Sequence, residues 1–488
     1  MRNPWLILAG VAAVMLGIPV LLLLGLYAEE DLRWHLKWNA LKADFQSRGE
    51  SLDLKQVAPP GDPRHDLSKS PLFSDYYKNP QPNPTRLRLM DIYFGADTSS
   101  RVPKLSGYQE NKPLNLGHWQ IFYTSLSKVS PAPGQTSAGP QIVAALQPFA
   151  AGMDELDAAV TLPGADWPLD YEEPYLTKLG GITGLLTPAK LLQLRGIAEL
   201  DAGVAEAAKD DFLVSTHLEQ PLKHNSNVIK LLVLLAIRAV DNAILWEGIH
   251  RHAWNADQLR SMDAALAGDD TLVLAVSALR QERAQGVRVM EYVSDKGKLS
   301  DFSNVKGNDD LYGQIGSFEL YTYLTLRPNG WHLREMAFYA RQLQQQIDAI
   351  DPSSGTIDPG PAHNMKEEKD YSTSEKINYC ESLLLLVPYH KFSFNVARGE
   401  TYRREARLAC LLEEFRLAQG HYPDALKELP DLPQHLNQEV LTTKPLHYAR
   451  KGDSYVLYST GWDGQDHGGK VDTSEGGREK SDWVWFGP

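Results

Sequence analysis

Residues 5–26, WLILAGVAAVMLGIPVLLLLGL, form an apolar run without one charged side chain. As a helix it is about 33 Å long, the thickness of a bilayer's hydrocarbon core. Gly10, Gly17 and Pro19 are compatible with this, because membrane helices tolerate both residue types. Arg2 precedes the run, while Glu29, Glu30 and Asp31 follow it. The preference for positive charge on the cytoplasmic side predicts a cytoplasmic N-terminus and an extracytoplasmic chain from Tyr27 onward. A cleaved signal peptide is the alternative. Cleavage wants small residues three and one before the cut, and Leu26 before Ala28 offers a bulky one, after a core longer than a signal peptide needs. The expectation is a retained single-pass anchor. The apolar stretch 228–237 is bounded by Lys230, Arg238 and Asp241, too short to cross, and predicts a buried helix.

The 488 residues suffice for two or three cores, and 43% hydrophobic with 23% charged residues is the balance of a globular chain. A net charge of −13 opposes phosphate backbones, which excludes nucleic acid as the expected partner. The two cysteines, Cys380 and Cys410, are open to two readings: a bridge in an exported chain, or small buried thiols.

The chain predicts a mainly α fold in five stretches: a stub and anchor (1–28), a juxtamembrane helix (29–56), a Pro-rich loop segment (57–140), a helical bundle or solenoid-like body (141–404) and a small α+β module with antiparallel strands (405–488). In the second, Leu32, Leu36, Leu41 and Phe45 give one apolar side and Gly49 a stop. The third holds APPGDP and NPQPNP, which break helices and central strands, with aromatics (Phe73, Tyr76, Tyr77, Tyr93, Phe94, Trp119) that need something to pack against. In the fourth, apolar spacing predicts helices over 190–201, 204–218, 228–249, 256–266, 271–293, 331–350, 374–387 and 395–419. Asn225, Ser226 and Asn227 offer caps for the 228–249 helix, Asn255 for the next, and Asp269 or Asp270 for the one after. Gly196, Gly203, Ala208 and Phe212 stand at the spacing of the small and aromatic packing positions of a tetratricopeptide repeat. The resemblance covers about one unit, and Glu199 stands where the first helix wants an aromatic. It implies that Gly196 and Gly203 let two helices approach closely, with Gly203 at a tight helix junction.

The last stretch runs from a helix into Gly420-His421-Tyr422-Pro423, then Pro445-Leu446-His447-Tyr448 and Ser454-Tyr455-Val456-Leu457-Tyr458-Ser459, with Gly461-Trp462-Asp463-Gly464 and a closing Asp482-Trp483. Alternation and the Lys451-Gly452-Asp453 turn predict a hairpin. The succession resembles the C-terminal half of the major pseudopilin of type II secretion systems, over less than a fifth of the chain. That family's loop binds calcium, which implies Asp463 and Asp482 as metal ligands and Ca²⁺ as the ion. Where the family often has two adjacent acids, Ser481 precedes Asp482. The loop is not an EF-hand, because Gln465, His467 and Ser474 fill positions that need other ligands. Residues 1–5 lack the pseudopilin processing site and the body is far too large for a pilus subunit, so polymerisation is not implied. The whole chain also resembles a group of single-pass membrane proteins sharing this ending, the GESLDL segment after the anchor and the central helices, a group that implies no activity.

Motifs for catalysis are sparse. GxSxG, GxxxxGK followed by Ser or Thr, HExxH and CxxC are all missing. Ser125 and Lys128 make an isolated SxxK. Glu247 and His250 make one ExxH with His252 nearby, where a di-iron bundle needs two such pairs. Glu367, Glu368, Lys369 and Asp370 read as solvated charge. No catalytic residue and no organic cofactor is predicted. The expected function is a membrane-anchored interaction or scaffold protein of the cell envelope, with a protein or envelope partner. A hydrolase whose site is assembled from distant residues is the alternative.

Overall fold

The structure, a computed structural model, describes residues 4–59, 107–127, 137–147, 150–166, 184–268, 270–294, 326–366, 368–386, 389–430, 435–474 and 476–488, with a few isolated positions between them. The loop aromatics from Phe73 to Phe94, together with Lys128 and Glu367, lie outside the described residues, as do the side chains of residues 1–14, Leu16 and Ser125. Helices of six residues or more are α1 (Pro4–Ser47), α2 (Leu116–Ser127), α3 (Gly139–Leu146), α4 (Ala150–Val160), α5 (Leu186–Asp201), α6 (Ala205–His217), α7 (Val228–His250), α8 (Ala256–Ala267), α9 (Thr271–Ser294), α10 (Asn329–Asp348), α11 (Thr373–Asn378), α12 (Cys380–Leu385) and α13 (Tyr389–Gln419). The strands are β1 (Ile350–Asp351), β2 (Thr356–Ile357), β3 (His447–Lys451), β4 (Ser454–Ser459) and β5 (Trp483–Phe486). The fold is mainly helical with a small antiparallel sheet at the C-terminal end, as the sequence predicts. Among the described residues no helix is long and apolar enough to cross a membrane.

The chain divides into two compact units, each assembled from separated segments. The first comprises residues 1–58, 280–345 and 365–389. Its spine is the second half of α1, where Trp38, Leu41 and Phe45 are buried. Arg283 lies 4.7 Å over the Phe45 ring and bonds Glu50, which also takes Arg280. The acids expected to follow the anchor have structural work as well. Asp31 accepts the amide of Gly330 at the start of α10 (2.7 Å), and Glu30 accepts Trp331 Nε1 (3.2 Å). A Cβ on Gly330 would sit 2.5 Å from the Glu30 carbonyl, so glycine permits this approach.

The second unit comprises residues 59–279, 346–364 and 390–488. Its centre is α7, wrapped by α5 and α6. Asn227 and Asn255 cap α7 and α8, the latter as a full capping box with Gln258. Strands β3 and β4 pair from His447↔Tyr458 to Lys451↔Ser454 around the Gly452-Asp453 turn, and β5 adds to β4. Phe394 on α13 meets Trp462 and Trp483 edge-on at 5.7 and 5.8 Å, seating the sheet on the helices.

Three expectations need correction. Leu116–Ser127 lies in the stretch read as loop, yet forms a helix, because Asn115 caps it and Trp119, Phe122 and Tyr123 recur at helical spacing and are buried. The single helix over 374–387 is two, α11 and α12. The carboxylate of Glu335 captures the amides of Glu381 and Ser382 (2.7 and 3.0 Å), so a new helix starts there after Tyr379. Gly203 is not at a tight junction. Nothing lies within 4 Å of a Cβ placed there. Its φ of +76° ends α5, with Val204 N–H bonded to the Glu199 carbonyl and Gly203 N–H to that of Leu200, a Schellman stop. The close packing is at Gly196, whose Cβ would meet Ile244 at 3.3 Å and Asp211 at 3.5 Å. Of the two readings open for Cys380 and Cys410, the structure has the second: both are buried free thiols.

Candidate functional site

The loop between β4 and β5 carries both predicted metal ligands. Gly461 has φ +70°, and a Cβ there would lie 2.3 Å from the Ser481 carbonyl, so only glycine lets the two arms of the loop meet. Asp482 is buried against this crossing. Its carboxylate accepts the amides of His467 (3.2 Å to each oxygen) and Gly469 (2.7 Å). Asp463 turns its Oδ1 to the Gln465 amide (3.0 Å) and its Oδ2 to His467 Nε2 (3.1 Å). The structure thus brings Asp463 and Asp482 together through one residue, His467. Sequence reading noted it only as a misfit to the EF-hand. Both aspartates are hard oxygen donors of the kind Ca²⁺ takes. The fit is partial, since amide hydrogens already occupy Asp482. Among the described residues no group of three or more His, Cys, Asp or Glu side chains is arranged to hold a metal.

The same loop carries Arg478 to the rim of a cavity of about 460 Å³ in the second unit. One wall is the α7 face of Leu232, Ala236 and Ala239, spaced by a helical turn and only half-covered, with Asn242 at its end. The opposite wall is α13, with Asn395, Arg398, Gly399 and Tyr402. Gly399 brings the helices close, since its Cβ would press on Leu235 at 2.6 Å. Tyr108 and Gln109 close the cavity, the Tyr108 ring edge-on to Tyr402 at 5.7 Å and tilted against Trp485 at 5.6 Å.

The polar groups around this cavity are mostly donors. Three arginines line it and no carboxylate does. Arg238 is neutralised by Glu219 at 3.0 Å, and Arg478 has Glu110 at 3.7 Å. Arg398 has no carboxylate within ion-pair distance among the described residues. It lies 5.2 Å over the Phe394 ring, with Asn395 Oδ1 at 3.5 Å. Burial lowers its guanidinium's pKa, and Arg478 adds to this. Glu405, a helical turn below Tyr402, is buried with both oxygens unbonded among the described residues, and burial pushes its carboxyl well up. Asn242 is buried too, and its Oδ1 has no hydrogen-bond partner among the described residues. Neither a paired carboxylate nor a Ser/His couple lines the cavity. Its lining sets guanidinium groups beside an apolar wall.

The other sequence candidates resolve into structural roles. Glu247 holds the Leu114 amide (2.5 Å) and Arg251 (3.4 Å). His250 stacks on Trp246 with centroids 3.7 Å apart and bonds its carbonyl, and burial pulls its pKa down to about 4. His252 pairs instead with Glu413 at 3.1 Å. In the first unit, Arg327 joins Glu335 and Glu381 at 2.6 Å each, and His332 meets Glu381 at 2.9 Å. Burial and the Glu381 charge raise Glu335 to about 8, whereas His332 and Arg327 outweigh burial and hold Glu381 low. This cluster locks α12 to α10. No family model matches the chain, and no curated protein or solved structure is similar to it.

Proposed function

We propose that this chain is a membrane-anchored extracytoplasmic interaction or scaffold protein of the cell envelope. The observation that carries the reading is the division of labour along α1. Met15, Ile18, residues 20–24 and Leu26 point to every side of the helix, and Met15, Ile18, Val20, Leu21, Leu22, Leu23, Leu24 and Leu26 are all 53–71% exposed. Apolar side chains on all faces of a helix need a lipid or protein surround. Twelve residues further on, the same unbroken helix buries Trp38, and then Leu41 and Phe45, in the first unit. A span that continues directly into a folded unit holds that unit at the membrane surface. Arg2 ahead of the apolar run is the feature that favours the extracytoplasmic side for it.

The reading extends to a protein or envelope partner, and keeps Asp463 and Asp482 as oxygen donors for Ca²⁺ in the loop that presents Arg478. Alkaline washing of membranes tests the anchor. The full chain should stay in the pellet and a version lacking residues 1–26 should leave it. Release of the full chain would overturn the anchor.

A further inference from the structure

The cavity between α7 and α13 has no place in an anchoring role, and its lining is unusual for a chain of net charge −13. We infer that it binds a small organic anion with a flat apolar body. The head group would rest on Arg398 and the body along Leu232, Ala236 and Ala239.

Three observations carry this. A cavity of about 460 Å³ falls in the range of small-molecule sites, and a half-covered apolar face on an otherwise buried helix is surface that a ligand would remove from water. Arg398 has no carboxylate within ion-pair distance among the described residues and is faced by Arg478, so an anion entering the cavity would find its guanidinium without an acidic partner. The Tyr108 and Tyr402 rings beside the cavity suit a flat body. An acidic chain offers an anion no long-range attraction, so affinity must come from contact inside the cavity.

Calorimetric titration of the full chain in lipid discs tests the inference with water-soluble probes: phenyl phosphate, benzoate, benzamide and benzylammonium. Phenyl phosphate and benzoate should bind. Benzamide, which keeps the shape of benzoate without its charge, should bind at least tenfold more weakly, and benzylammonium not at all. Arg398→Gln should weaken phenyl phosphate at least tenfold, and Arg398→Lys should restore part of that loss. Ala236→Phe should abolish binding by filling the cavity while Arg398 stays in place. Equal binding of benzamide and benzoate would overturn the inference. So would undiminished binding in either Arg398→Gln or Ala236→Phe, or no binding of either anion at millimolar concentration. None of these outcomes depends on the anchor, which the membrane wash tests separately.

Discussion

Asp482 and Gly203 show how differently a residue can matter from what its spacing suggests. Asp482 ties down the amides of His467 and Gly469 from a buried position. Asp482→Ala strands both, at about 1–3 kcal/mol for each unsatisfied group. The C-terminal module should therefore melt early with or without calcium. Asp463→Ala removes one turn bond and the His467 contact, a smaller loss. If Ca²⁺ binds between these aspartates, it raises the melting temperature of the wild-type chain more than Mg²⁺ does, and Asp463→Ala removes that gain. Identical melting of the wild type in Ca²⁺ and in chelator would eliminate the ion. At Gly203 the left-handed backbone, not crowding, sets the cost. Gly203→Leu should lose about 1–2 kcal/mol and Gly203→Asn distinctly less, because Asn tolerates this conformation. Equal losses would restore the packing explanation. Gly196→Leu, pressed against Ile244, should be the more damaging change.

At the scale of elements, caps and periodicity were legible and long-range capture was not. Asn225-Ser226-Asn227 and Asn255 announce α7 and α8 from the sequence because capping is a local interaction, and the structure picks Asn227 from the first three. The break at Tyr379 depends on Glu335, more than forty positions away, and no local pattern records it. The cavity was hidden for a similar reason. Leu232, Ala236 and Ala239 sit on a helix apolar on most sides, and nothing in their spacing separates a cavity wall from core. Arg398 is one basic residue among many on α13. The metal candidates were legible only through resemblance, and the His467 link between them only through the fold. The lock of α12 on α10 also makes a pH prediction. Glu335 holds its proton more tightly folded than unfolded, with its pKa raised from 4.5 to about 8. Its contribution is thus complete below about pH 4.5 and is lost as pH rises through 8. Melting temperatures of the wild type and Glu335→Gln should diverge across that window, the variant declining less. Parallel profiles would show that Glu335 is ionised throughout.

For the whole molecule, the central claim is an anchored body on the far side of a membrane. One helix from Pro4 to Ser47 carries the apolar run into the first unit, and the cavity between α7 and α13 lies in the second. Exposure of the cavity to extracytoplasmic ligands depends on which side the body occupies. The most direct measurement is a pair of reporters fused after Pro488, alkaline phosphatase, which is active only outside the cytoplasm, and a fluorescent protein that matures only inside it. An extracytoplasmic body predicts an active phosphatase and a dark fluorescent fusion, both in the membrane fraction. A bright fluorescent fusion with an inactive phosphatase would place the body in the cytoplasm and contradict the claim.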